Sequence, residues 1–106
     1  MEFTKRQQAI CMAWSMPVEI GPNEFIPSMC KHFRPHPNGV HVVCMETFLF
    51  TRAISLLTAP DMRLVRWCYK SYLDAFIALN DWQRIAFHGK PNNFIAEKGF
   101  YKNGST

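Results

Sequence analysis

Cys30, His32, His36, His41 and Cys44 bring three of the four histidines and two of the four cysteines of this chain into one short stretch. Nowhere else are side chains able to bind a metal or do chemistry so concentrated. Zinc favours four Cys or His ligands in a tetrahedron, so a structural zinc site is the first chemistry this stretch suggests. The spacing runs Cys30-x-His32-x3-His36 and then His41-x2-Cys44. If a helix opens near Asn38, His41 and Cys44 share one of its faces, and the preceding loop supplies the other ligands. The paired C-x2-C knuckle of zinc fingers is absent, and His36 stands between two prolines. The plainer alternative buries both cysteines as packing residues and leaves the histidines at the surface. A second chemistry is nucleophilic. Cys30 neighbours Lys31, His32 and Arg34, and a cationic setting lowers a thiol pKa. No orienting acid or oxyanion loop accompanies it, so no catalytic residue is assigned.

The elements that must position these residues read as mainly helical. Thr4-Lys5-Arg6-Gln7 fits a T-x-x-Q capping box, and Ala9, Ile10, Ala13 and Trp14 recur at helical spacing, predicting a helix over about 5–16. Pro17 ends it. Five of the seven prolines fall in the loop that follows, about 17–38, which excludes a long helix there. Val18–Ile20 and Glu24–Ile26 are candidate short strands within it, and Ser28–Phe33 a candidate helical turn. Met45, Phe48, Leu49, Ala53, Leu56 and Leu57 follow a 3-4 rhythm, predicting a second helix over about 40–58. Val40–Val43 either opens that helix or forms a short strand. Thr58-Ala59-Pro60-Asp61 then resembles a helix start, and a third helix is expected over about 59–79. Its buried stripe would hold Leu64 or Val65, Cys68, Tyr72, Phe76 and Leu79. Asn80-Asp81 marks a break, and a short fourth helix follows over about 81–88, closed by Gly89 and Pro91. The tail, 89–106, allows a hairpin turning at Lys98-Gly99. The expected fold is therefore mainly α, with α+β as the variant: one domain, a three- to four-helix bundle with a Pro-rich loop and a short C-terminal β-hairpin.

Composition narrows the function. Hydrophobic residues make up 48% of the 106, including nine Phe, three Trp, three Tyr and six Met. That supply argues for a packed core and against disorder. It also exceeds what a small core hides, so some rings and methionines are expected at the surface as binding material. Net charge is +4, a mild tilt toward anionic partners. The N-terminal residues lack the apolar run of a secretion signal, and 40–59 carries Glu46 and Arg52, so no membrane span is expected. Cytoplasmic residence with reduced thiols follows as the expectation. No dinucleotide, phosphate-loop, zinc-protease, calcium or nucleophile-elbow motif is present.

Arg63, Arg66 and Lys70, three and four apart, would form a basic stripe on the third helix, with Trp67 beside it. Trp and Arg dominate interface energetics, so Arg63, Arg66, Trp67 and Lys70 are the candidate partner-binding residues, joined by Phe100 and Tyr101 in the tail. The expected function is a non-enzymatic regulatory or inhibitory binding protein that docks on a larger protein or nucleoprotein assembly. It is of the kind that phage and other mobile elements direct at host nucleic-acid machinery. Direct nucleic-acid binding through the same stripe is the rival. A zinc-stabilised or Cys-dependent protein built around Cys30–Cys44 is the third reading, and a homodimer is compatible with any of them.

Overall fold

The structure, a computed structural model, describes residues 2–48 and 50–99. Of these, 40% lie in strands and 25% in two helices, so the three- to four-helix bundle is incorrect and the fold is mainly β. Helix α1 spans Lys5–Ser15, β1 Val18–Gly21 and β2 Glu24–Ile26. Strands β3 (Cys30–Pro35), β4 (Val42–Thr47), β5 (Arg52–Ala59) and β6 (Met62–Tyr69) follow, then α2 (Tyr72–Arg84) and β7 (Ala96–Gly99). β1 and β2 pair as a separate hairpin; β3 to β7 form one antiparallel meander in sequence order. No helix among the described residues is long and apolar enough to cross a membrane.

The expected second helix is in fact β4 and β5, and the expected third is β6 with the first half of α2. The cause is burial on both faces of the sheet. Val43, Met45, Ile54, Leu56, Val65, Trp67 and Tyr69 pack under α2 with Ala75, Ala78, Leu79, Trp82 and Phe87. Val42, Cys44 and Leu57 pack under α1 with Ile10 and Cys30, bordered by Trp14 and Phe33. A strand covered on both faces loses its apolar–polar alternation and reads as a continuous apolar run. Such a run satisfies a 3-4 template by accident. Pro60-Asp61 is the turn joining β5 to β6, with Ala59 paired to Met62 across it. Proline presets φ for a turn as readily as for a helix start. Asn80 and Asp81, expected as a break, lie inside α2. Ser28–Phe33 holds no helical turn, because Cys30 already begins β3.

The capping box forms as its residues require. Thr4 Oγ1 accepts from the Gln7 amide at 3.2 Å, and Gln7 Oε1 accepts from the Thr4 amide at 2.9 Å. It does a second job. Gln7 is fully buried, and its Nε2 donates to the carbonyls of His36 and His41 at 2.9 and 2.8 Å. Thr4 Oγ1 also donates to Gly39 O at 2.7 Å, where the chain turns with φ 73°. The helix start thus straps down the β3–β4 loop and fixes α1 across the sheet. Helix α2 is capped by Ser71, whose Oγ accepts from the Asp74 amide at 3.1 Å. Strand β7 pairs with β6 through Val65–Cys68. The hairpin turn expected at Lys98-Gly99 is incorrect, because both residues lie inside β7, paired with Arg66 and Val65; Phe100 and Tyr101 lie outside the described residues.

Candidate functional site: a groove floored by a buried ion pair and the Cys30 thiol

Strand β6 carries an irregularity that re-aims its side chains. Leu56 pairs with Val65 but Leu57 pairs with Arg63, which leaves Leu64 as an extra residue. Without it, Arg63 and Arg66 would point to opposite faces; with it, both point to the α1 face. Trp67, one residue on, points the other way and is 4% exposed beneath α2, its Nε1 donating to Glu97 Oε1 at 2.7 Å. Lys70 is exposed just beyond β6. Arg63, Arg66, Trp67 and Lys70 therefore share no helical stripe.

On the α1 face, Arg63 meets Glu46, which is 4% exposed. Nε and Nη2 of Arg63 donate to Oε1 and Oε2 of Glu46, each at 2.6 Å, a bidentate fork. The guanidinium carbon lies 5.1 Å from the Trp14 ring centroid and 5.9 Å from that of Phe48. Arg66 stacks over Phe48 at 4.3 Å. Trp14 is held in turn by its Nε1 donating to Ala59 O at 3.0 Å. Glu46 escaped the sequence reading, although a carboxylate inside Val42-Val43-Cys44-Met45-Glu46 was itself a signal. Once that run is a buried strand, the charge must have a partner.

Beside this pair lie Cys30 and Cys44, on adjacent strands, with Cys30 directly across from Glu46. The two sulfurs and a Glu46 oxygen all lie within 4.8 Å of one another. The Cys44 thiol is pushed well above its ordinary value, first by a hydrogen bond with Cys30, then by burial. It stays protonated at neutral pH and is no nucleophile.

The other members of the expected zinc set lie elsewhere. His32 has φ 57° at the β3 irregularity, which turns its ring to the α2 side. There its Nε2 shares a 2.6 Å hydrogen bond with the Tyr72 hydroxyl, and its ring lies 5.1 Å from Phe76. His36 and His41 sit in the β3–β4 loop with ring centroids 5.8 Å apart, and His36 stacks on Phe87. Burial depresses both pKa values below 6.5, and for His41 the neighbouring His36 and Arg6 add to it. The folded state thus favours neutral rings, and the unfolded chain binds protons first as pH falls. Stability is full above the ordinary histidine range and declines through pH 6.5 and below. Urea midpoints measured at pH 7.5 and about 5.5 should fall on acidification in the wild type, and fall less in His36→Asn/His41→Asn.

Cys30, Glu46 and Arg63 floor a cavity of about 390 Å³ whose walls include Trp14, Met16, Val18, Met29 and Phe48. A second hollow, of about 510 Å³, shares Met29, Thr47 and Phe48 with it and adds Arg52. Of the residues lining these hollows, Met16, Val18 and Met29 are exposed, and elsewhere the chain also exposes Met12 on α1, Ile20 and Phe25 on the hairpin, and Phe50, which is 86% exposed. No protein-family model matches the chain, and neither the curated proteins nor the solved structures contain a significant match.

Proposed function

We propose that this is a non-enzymatic binding protein that docks on a larger protein by receiving an apolar, carboxylate-bearing segment in the groove between α1, the β1–β2 hairpin and β4. One observation carries the reading: the exposed side chains of Met16, Val18 and Met29 line a preformed cavity together with the rings of Trp14 and Phe48. Apolar exposure on that scale in a small domain is the ordinary mark of an interaction site. Arg52 at the second hollow donates to the backbone carbonyls of Phe48 and Thr51 and has no carboxylate partner among the described residues. It supplies the positive charge at the rim, in keeping with the net charge of +4. On the floor, Glu46 is engaged by Arg63, and Cys44, fully buried behind it, is protonated, so neither serves as a general base.

The rival, phosphate tracking by Arg63 and Arg66, has less support in this geometry, since Arg63 already neutralises Glu46. The two readings part on salt and on which side chains matter. Immobilised wild type should retain a protein from a lysate of its source cell at both low and high salt, and Val18→Asp/Met29→Asp, which charges two exposed lining residues, should lose it. Equal retention by the variant would overturn the reading. So would micromolar binding of duplex DNA, single-stranded DNA or RNA that weakens steeply with salt.

A further inference from the structure

We propose that Cys30, Cys44 and Glu46 form a site for one thiophilic divalent cation of the zinc type, with its fourth ligand position opening onto the groove. The donors sit on rigid, adjacent strands: Cys30 opposite Glu46, and Cys44 two residues along β4 on the same face. All three donor atoms lie within 4.8 Å of one another, close enough to reach tetrahedral ligand spacing by small side-chain rotations. Two sulfurs and one carboxylate oxygen are a donor set zinc accepts.

The surroundings match what such an ion needs. Two thiolates and one carboxylate outweigh a divalent cation by a single negative charge, and Arg63 lies on that same carboxylate to offset it. A ligating carboxylate held by an outer hydrogen-bond donor is the usual second-layer arrangement around a metal. Ser55 gives an independent sign. It pairs with Cys44 across β4 and β5, is fully buried, and its Oγ has no hydrogen-bond partner among the described residues. A Cys44 thiolate on the same face would accept that hydroxyl proton in a hydrogen bond. On binding, each sulfur exchanges its proton for the metal, and the two protons leave to solvent. Cys30, Glu46 and Arg63 all line the 390 Å³ cavity, so the fourth position is within reach of water or of a carboxylate on a docked segment. His32, His36 and His41 take no part.

The test uses the reduced full-length chain with cobalt(II) as the probe and zinc(II) as competitor. One cobalt per chain should bind with a sulfur-to-metal charge-transfer band in the near ultraviolet and tetrahedral bands in the visible, and zinc should abolish both. Cys30→Ser, with fold checked by circular dichroism, should lose about half the charge-transfer intensity for two equivalent sulfurs and bind more weakly. Glu46→Gln should keep the sulfur band but lose affinity at least about tenfold, while His36→Ala/His41→Ala should change nothing. Zinc should also raise the unfolding temperature of the wild type. Absence of a charge-transfer band from the wild type at large cobalt excess would overturn the proposal. So would a band unchanged by Cys30→Ser, or one lost in the histidine variant. None of these outcomes depends on the partner, so the site and the docking reading stand or fall separately.

Discussion

Arg63→Met is expected to lower stability by about 3–5 kcal/mol, measured by urea denaturation in the presence of a chelator. The loss comes less from the missing attraction than from what remains. Glu46 would keep a carboxylate 4% exposed, without either of the two short bonds that now satisfy it. Trp14 and Phe48 would also lose the guanidinium that packs between them. The Arg63 side chain keeps 17% exposure, which places the effect toward the lower end of that range. The double variant Glu46→Leu/Arg63→Met should recover most of the loss, since replacing both partners of a buried pair by apolar groups is often neutral or better. If Arg63→Met costs less than about 1 kcal/mol, the pair behaves as a solvated surface bridge rather than a buried one.

Trp82→Ala should be at least as damaging, at about 3–5 kcal/mol by the same measurement. Trp82 joins α2 to the sheet. Its ring lies edge-on to Trp67 at 5.1 Å and to Phe87 at 5.0 Å, and its Nε1 donates to His88 O at 3.1 Å. Truncation would open a large cavity between helix and sheet and leave that carbonyl short of a donor. Trp82→Phe keeps most of the packing and should cost markedly less. Equal effects from the two substitutions would show that the hydrogen bond, not the ring volume, holds this end of the core.

Some of this was written locally. The capping box of Thr4 and Gln7 needs only side chains three residues apart, and it forms with the bonds its residue types dictate. Gly21-Pro22-Asn23 turns the β1–β2 hairpin for a similarly local reason, with Asn23 at φ 59°. The middle of the chain was misread because its evidence is not local. Val42 to Met45 is buried throughout, so neither alternation nor a helical stripe distinguishes its state. The abundance of Val, Ile, Thr and Trp between Val40 and Tyr69 was the better signal, since β-branched and aromatic side chains suit a pleated surface.

The candidate site divides in the same way. Residue types alone made Cys30 and Cys44 worth watching and gave Arg63 and Arg66 weight as partner-binding groups. Neighbours in sequence did not become neighbours in space. The irregularity in β3 and the positive φ of His32 turn that ring to the α2 side, away from Cys30. The extra residue in β6 puts Arg63 and Arg66 on the same, α1-covered face of the sheet while Trp67 enters the opposite core. Composition by itself determined that the chain would have a well-supplied core, apolar side chains left for its surface and a modest positive charge. Only the tertiary structure decided which groups meet. In a sheet, side-chain direction depends on register, and one inserted residue reverses every side chain beyond it.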